Sequence, residues 1–170
     1  MHKKTMKIAL YGMCIALAFI LSYIEAMIPI SGLAPGMKLG LTNLVVLFAL
    51  YYMNGKAAFV VNIVRIFLVA ITFGNFMSFY FALAGGMLSF FVMILLKKSG
   101  WFHITAVSVA GSVSHNIGQI TVAMVVLNTT SVWWYFGILS VSGVVAGLAV
   151  GLLTGNVLKK MPRMESQENL

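Results

Sequence analysis

The chain has 170 residues, of which 61% are hydrophobic and only 8% are charged, and its mean hydropathy is +1.02. A soluble domain with this composition would expose large apolar patches, so the composition excludes that class and predicts a protein embedded in a lipid bilayer. The net charge is +8. Membrane topology and anionic lipid headgroups account for such a charge, so no nucleic-acid partner is predicted.

Six apolar runs follow one another along the chain, and each is apolar on every side rather than alternating as a β-strand would. Several reach the ~20 residues that a helix needs to cross the hydrocarbon core. The sequence therefore predicts an all-α integral membrane protein: one domain of six transmembrane helices over residues 1–160, with a short polar tail at 161–170. Because only a tight turn separates the second and third runs, a re-entrant hairpin is the alternative there. The runs extend roughly over Ile8–Ile28, Leu39–Met53, Ala57–Phe73, Phe76–Leu96, Ile104–Leu127 and Val132–Leu158.

The first run follows Lys3, Lys4 and Lys7, as the apolar segment of a signal peptide would. Its length exceeds the ~7–15 apolar residues of a signal peptide and no A-x-A cleavage pattern follows, so we predict a retained helix. Gly12 and Ala16, four residues apart on this helix, form a small-residue face that another helix could approach closely.

Lysine and arginine are distributed unevenly between the predicted ends of the helices. With the N-terminus inside, six spans place nine of the eleven cations on one side. Because cytoplasmic loops collect cations, both termini are predicted to be cytoplasmic and the protein to lie in the cell membrane. Residues 31–38 and 128–131 are then external. The nine cations are Lys3, Lys4, Lys7, Lys56, Lys97, Lys98, Lys159, Lys160 and Arg163.

The segment APGMKLGLTN, residues 34–43, contains the one external cation, Lys38. Pro35 and Gly36 favour a turn, and Gly40 allows close backbone approach. The segment is therefore predicted to fold back over the external mouth of the bundle. A plain connecting loop with a snorkelling lysine is the alternative.

The third run contains Arg65, and an ionisable residue inside hydrocarbon costs at least ~2.5 kcal/mol unless it faces a cavity or a partner. Asn62 lies three residues before it on the same helical face, and Glu25 is the only acid outside the C-terminal tail. One interpretation is a buried ion pair of Arg65 with Glu25. The other is an anion-binding site that uses Arg65 and Lys38, and the two can coexist if a ligand competes for the arginine.

The fifth run carries polar residues at spacings of four, three and four, which place them along one stripe of a helix. The stripe consists of Ser108, Ser112, His115 and Gln119, with Asn116 beside it. A polar stripe indicates an interior surface, which serves either for ligand contacts or for hydrogen bonds between helices. No second residue is spaced to help His115 hold a metal, so no metal site is predicted.

The last run has glycine at every fourth residue, which lets another helix approach backbone to backbone. These glycines are Gly143, Gly147, Gly151 and Gly155. The pattern predicts either a docking surface for a separate membrane partner or packing within the bundle.

Residues suited to catalysis are scarce. The sequence contains no aspartate, and its three acids are Glu25, Glu165 and Glu168. Clustered carboxylates that could hold Mg²⁺ for diphosphate chemistry are therefore missing, as are the P-loop, G-x-S-x-G and H-E-x-x-H motifs. We predict a protein that is not an enzyme and needs no cofactor, because binding or transport requires only a shaped cavity and a few polar contacts.

Four stretches carry a family resemblance: KIALYGMCIALAFILSYIE, PGMKLGLTN, VNIVRIFL and GSVSHNIGQ. Through them the chain resembles the Gx transporter family, also labelled heptaprenyl diphosphate synthase component I, over nearly its whole length up to about Lys160. That family is similar to the substrate-binding S components of energy-coupling factor transporters. Those are six-helix membrane proteins that capture a vitamin or precursor from outside.

The resemblance implies that PGMKLGLTN is a gate that closes over the ligand. It also implies that the face from Gly12 to Ala18 docks onto a shared transmembrane coupling subunit driven by two ATPases. Here Gly12 and Ala16 supply a small-x-x-x-small pattern in place of the A-x-x-x-A docking motif of S components. The synthase label implies prenyl diphosphate chemistry instead, although the missing aspartates argue against an active site in this chain.

We therefore expect an S-component-like importer subunit that captures a small organic anion, either a vitamin or cofactor precursor or an isoprenoid-related substrate. The alternative is a non-catalytic membrane subunit that presents isoprenoid substrate to a prenyl diphosphate synthase. A lone channel is disfavoured, since no ring of charge or filter sequence occurs. Predicted ligand contacts are Lys38, Asn43, Asn62, Arg65, Ser112, His115, Asn116 and Gln119, with Phe73, Phe76 and Tyr80 as candidate cover for an apolar part of the ligand. Predicted docking residues are Gly12, Ala16, Gly143, Gly147 and Gly151.

Overall fold

The computed structural model describes residues 2–27 and 40–161. Within these ranges it contains six α-helices, one short 3-10 helix and no strand, which confirms the prediction of an all-α fold. The elements are α1 (His2–Met27), α2 (Leu41–Tyr52), α3 (Gly55–Thr72), α4 (Phe76–Ser99), α5 (Ile104–Leu127), the 3-10 helix (Ser131–Tyr135) and α6 (Phe136–Lys160). Most of the predicted external loop and the polar tail after residue 161 lie outside the described residues.

Five of the described helices are long and apolar enough to cross a membrane, namely all except α2. α2 has only 12 residues. At ~1.5 Å per residue such a helix is roughly 18 Å long, which is shorter than the ~30 Å hydrocarbon core. The structure is thus a multi-pass helical bundle, and the prediction of six complete crossings is not confirmed.

The short helix α2 lies at the centre of the bundle. It contacts each of the other five α-helices, and Val45, Leu47 and Leu50 are at most 1% exposed. Its side chains therefore meet protein instead of lipid, and a helix surrounded in this way can be apolar on every side without spanning the bilayer. Asn54 then caps α3 by accepting a hydrogen bond from the Ala57 N–H at 2.7 Å, so α2 and α3 are two separate helices.

Successive helices run in opposite directions, so the bundle has two chemically different ends. At one of them, termed the basic end, Lys97 Nζ donates to the Leu50 carbonyl at 2.6 Å and joins the last turns of α4 and α2. At the other, termed the cavity end, the Phe73 ring lies 5.6 Å from the Phe19 ring and 5.3 Å from the Tyr23 ring, so the ends of α1 and α3 meet. The basic end includes Lys56, Lys97, Lys98, Lys159 and Lys160.

Exposed tryptophans mark both ends of the bundle. Trp101, between α4 and α5, is 90% exposed, and Trp134, in the 3-10 helix before α6, is 87% exposed. Tryptophan is enriched at the two interfaces of a membrane with water, where its amphipathic ring lies at headgroup level. The apolar helices between these two positions fit the placement of the bundle in a bilayer.

The glycines of α6 pack against α5. A Cβ atom on Gly147 would lie 2.6 Å from the Val109 Cα, and one on Gly151 would lie 2.7 Å from the Thr105 Cα. A Cβ on Gly143 would meet a side-chain atom of α5 at 2.7 Å. These separations are below van der Waals contact, so only glycine permits the approach. α5 of the same chain covers these three glycines, which is the alternative of packing within the bundle that the pattern also predicted.

The predicted orientation, with both termini in the cytoplasm, can be tested by cysteine labelling. Cys14 is the single cysteine of the sequence and is only 2% exposed, so the wild-type protein should give a low background. Thr130→Cys, in the exposed turn after α5, should react with a membrane-impermeant maleimide in intact cells. Ser99→Cys, exposed at the basic end, should react only after lysis. The reverse pattern would contradict the orientation.

Candidate functional site

A cavity of about 300 Å³ lies at the cavity end of the bundle. Its lining comes from the end of α1, the start of α2, the second half of α3, the turn after it, the first turns of α4, the middle of α5 and the first half of α6. Its volume is at the lower end of the ~300–1,000 Å³ typical of small-molecule sites. The polar lining residues are Ser22, Glu25, Thr42, Asn43, Arg65, Asn75, Ser78, Ser112, His115 and Asn116, and the apolar ones include Ile66, Val69, Phe73 and Ala82.

Arg65 brings a buried positive charge to this cavity. It lies on α3 and is 7% exposed, and its Nε and Nη2 donate to Asn62 Oδ1 at 3.3 and 3.1 Å. Asn62 is 1% exposed and donates from Nδ2 to the Gly86 carbonyl at 3.0 Å. The Gly86 carbonyl of α4 thus positions the Asn62 amide, and the Asn62 amide positions the Arg65 guanidinium. Asn62 itself does not line the cavity. A guanidinium has about five N–H donors, so roughly three remain for a ligand.

Glu25 faces the same cavity and is held by the start of α2. Its Oε1 accepts a hydrogen bond from the Gly40 N–H at 2.6 Å, and its Oε2 accepts one from Thr42 Oγ1 at 3.2 Å. Gly40 has a φ of 70°, a left-handed conformation that glycine adopts without steric cost. A carboxylate at this position also interacts favourably with the positive end of the α2 dipole. Glu25 therefore joins α1 to the first residues of α2.

The structure does not show the ion pair of Arg65 with Glu25 as a direct contact. Within the described part of the chain, no carboxylate oxygen lies within 4.0 Å of a guanidinium nitrogen of Arg65. A buried cation without a contacting anion is costly. Glu25 and Arg65 line the same cavity without contact, and the other interpretation, in which a ligand supplies the anionic partner of Arg65, stays a prediction.

Three of the predicted residues of α5 line the cavity, namely Ser112, His115 and Asn116. Asn116 also donates from Nδ2 to the Leu139 carbonyl at 2.6 Å, so its amide joins α5 to α6. Gln119 is 6% exposed and packs between α5 and α4, outside the lining. The polar stripe thus contributes Ser112 and His115 to the cavity wall, and Asn116 beside it links two helices, while contact of these residues with a ligand stays a prediction.

Sequence reasoning did not name four polar residues of the lining as ligand contacts, namely Ser22, Thr42, Asn75 and Ser78. Asn75 Oδ1 accepts from the Ser78 N–H at 2.7 Å, and Ser78 Oγ accepts from the Asn75 N–H at 2.8 Å, which is a capping box at the start of α4. The N-x-x-S pattern is readable in the sequence, but its position over the cavity depends on how α3 and α4 pack. Phe73 lines the cavity, whereas Phe76 and Tyr80 are 84% and 51% exposed and lie outside the lining.

The other predicted ligand contacts are Asn43 and Lys38. Asn43, at the start of α2, lines the cavity. Lys38 lies outside the described residues, so its contact with a ligand stays a prediction. The described residues contain no group of three histidine, cysteine or acidic side chains that could hold a metal ion.

Gly12 and Ala16 lie on the outer face of α1. Both are exposed, and a Cβ atom on Gly12 would have no atom within 4 Å. Cys14 and Ala18 are 2% and 0% exposed and pack into the core. The outer face is therefore open to an approaching helix at Gly12 and Ala16, whereas Ala18 cannot belong to a docking surface in this structure.

The fold and the cavity together define a class, a multi-pass helical membrane protein with a small polar cavity at one end of its bundle. A comparison with protein-family models matches residues 14–157 to the family described as heptaprenyl diphosphate synthase component I. The chain belongs to this family, which confirms the resemblance carried by the four sequence stretches. The family description names one component of a synthase, and thus a subunit rather than a whole enzyme. No curated protein and no solved structure is similar enough to match the chain.

Proposed function

We propose that the protein is the substrate-binding membrane subunit of an importer and that it captures a small organic anion from outside the cell. The observation that carries this proposal is the buried guanidinium of Arg65, which faces the cavity without contact to a carboxylate of the described residues. Arginine binds carboxylate and phosphate groups through two parallel hydrogen bonds. A ligand with a carboxylate or phosphate group would form an ion pair with Arg65 and accept hydrogen bonds from the guanidinium N–H groups that do not bind Asn62.

The size and walls of the cavity narrow the class of ligand. A volume of about 300 Å³ fits a molecule of the size of a vitamin or cofactor precursor. Ile66, Val69 and Phe73 offer an apolar wall for the body of such a molecule. The cavity lies opposite the basic end of the bundle, and this is the external end in the predicted orientation.

Import against a gradient requires energy from other subunits, because the sequence has no nucleotide-binding motif. In this proposal the partners are a transmembrane coupling subunit and its ATPases. The coupling subunit would approach the outer face of α1 at Gly12 and Ala16, where no side chain of the described bundle blocks a close contact.

A second candidate function is a non-catalytic membrane subunit of heptaprenyl diphosphate synthase, and the description of the family favours it. A diphosphate is also an anion that an arginine binds well. The two functions share the same anion site and differ in the protein that the subunit accompanies. Proteins that copurify with the chain from native membranes would separate them: a coupling subunit with ATPases supports import, and a prenyl diphosphate synthase supports the alternative.

Blocking the cavity tests whether it holds a ligand. Ala82 lines the cavity, so Ala82→Phe should fill it and remove small molecules that copurify with the wild-type protein in detergent. Ala149→Phe adds the same ring to an exposed position of α6 and should leave those molecules in place. Mass spectrometry of extracts from equal amounts of each protein makes the comparison. Equal small-molecule content in wild type and Ala82→Phe would contradict a ligand in this cavity.

If the partner docks on α1, a large side chain should prevent its binding at Gly12 but not at an exposed glycine elsewhere. Gly12→Leu should abolish copurification of the partner, because a leucine side chain blocks backbone approach at the contact. Gly137→Leu is the matched control, since Gly137 on α6 is also exposed with no atom near an added Cβ. The amounts of partner recovered with each variant from native membranes give the result. Equal recovery with Gly12→Leu and with wild type would remove α1 from the docking surface.

A further inference from the structure

The cavity contains a fixed negative charge as well as a positive one. Glu25 from α1 and Arg65 from α3 both line it, and they are the only acidic and strongly basic side chains among its described lining residues. No carboxylate oxygen of Glu25 lies within 4.0 Å of a guanidinium nitrogen of Arg65. The two charges therefore line one small cavity without a direct contact between them.

The carboxylate of Glu25 is held in place and retains capacity to accept hydrogen bonds. The Gly40 N–H and the Thr42 hydroxyl fix one oxygen each, at 2.6 and 3.2 Å. The Thr42 hydroxyl is itself 3.1 Å from Ser22 Oγ, which is anchored by a 2.8 Å hydrogen bond to the Ala18 carbonyl. A carboxylate has about four lone-pair sites, so roughly two remain for a ligand. Glu25 is thus an oriented acceptor and not a mobile surface acid.

A ligand that carries only negative charge would gain from Arg65 and lose to Glu25, because like charges repel strongly in a partly buried site. A ligand with an acidic group and a cationic group would gain at both. Its acidic group would meet the guanidinium, and its cationic group would meet the carboxylate through charge-assisted hydrogen bonds.

Resting on the proposed function, we infer that the ligand is a small zwitterion, an organic acid that also carries a protonated amino group. The acid binds Arg65, the amino group binds Glu25, and an apolar portion lies against Phe73. Glu25 is then a specificity-determining residue that rejects acids of similar size without an amino group.

Glu25→Gln tests this assignment, because it should lower the amount of bound zwitterion but should not lower the amount of a bound plain anion. Glutamine keeps an acceptor oxygen and nearly the same shape but removes the charge. The probe is the set of small molecules released by heat from purified wild-type protein, quantified by mass spectrometry per amount of protein. The inference predicts at least a tenfold lower content in Glu25→Gln. Lys56→Gln removes a charge at the exposed basic end and should retain the wild-type content.

The outcomes separate this inference from the function on which it rests. If Arg65→Ala loses the released molecule while Glu25→Gln holds as much as wild type or more, the ligand is a plain anion: the importer proposal stands and the zwitterion is overturned. If Arg65→Ala retains the released molecule as well, the proposal of an anion site at Arg65 is rejected. An amine-selective reagent applied to the extract of wild-type protein decides the matter even where Glu25→Gln does not fold. A released molecule that depends on Arg65 and does not react as an amine overturns the inference.

Discussion

Replacing Gly147 by alanine is expected to lower the stability of the bundle by about 1–3 kcal/mol through overpacking. The added Cβ would lie 2.6 Å from the Val109 Cα and 3.1 Å from the Ser108 carbonyl oxygen, and backbone atoms cannot rotate away. The gain in helix propensity, at most ~1 kcal/mol, is too small to offset this. Thermal unfolding in detergent should show the loss as a fall in Tm of ~2–4 °C per kcal/mol.

Gly155 provides the matched control for this prediction, since it belongs to the same helix and the same four-residue pattern. A Cβ on Gly155 would lie 3.5 Å from the Ile104 Cγ2, which is ordinary van der Waals contact. Gly155→Ala should therefore leave Tm unchanged or raise it through helix propensity. An equal loss of stability at both glycines would contradict the close packing of α6 on α5.

Arg65→Ala is expected to weaken ligand binding by about ten- to a hundredfold, because charge-assisted hydrogen bonds contribute ~1.5–3 kcal/mol. Arg65→Lys should bind with intermediate affinity, since lysine keeps the charge but lacks the planar pair of donors. The molecule identified in the cavity-blocking experiment can be added back to unloaded protein, and its affinity for each variant can be measured by titration calorimetry.

The fold should survive the loss of Arg65. No described carboxylate contacts the guanidinium, and Glu25 keeps its hydrogen bonds with the Gly40 N–H and the Thr42 hydroxyl when Arg65 is removed. Asn62 keeps its hydrogen bond to the Gly86 carbonyl. An unfolded Arg65→Ala protein that regains its fold and its ligand when Glu25 is also replaced by glutamine would show a structural ion pair instead, and the anion site would be rejected.

Five of the ten polar residues that line the cavity were recognised from the sequence. Arg65, Ser112, His115 and Asn116 interrupt apolar helices, and the cost of placing such groups in hydrocarbon requires an interior position. Helical spacing alone could not separate these residues from Asn62 and Gln119, which share their faces but turn toward neighbouring helices. The difference depends on which backbone and side-chain groups lie opposite, and that is a property of the packed bundle.

The position of α2 and the role of the glycines on α6 were less accessible to sequence reasoning. A helix that is apolar on every side is stable either in lipid or when surrounded by protein. The run around residues 39–53 was therefore compatible both with a membrane span and with the central helix that the structure shows. The glycines at 143, 147 and 151 predicted a close helix contact, which is present. Their spacing carried no information on whether the approaching helix belongs to this chain or to another.

A structure of the protein purified with its bound molecule, determined by cryo-electron microscopy in a lipid nanodisc, tests the central claim most directly. We expect density for a small molecule in the cavity at the end of α1, with an acidic group within hydrogen-bonding distance of the Arg65 guanidinium and Asn62 still bound behind it. An Arg65 guanidinium in direct contact with Glu25, with the bound molecule placed elsewhere in the bundle, would contradict the account.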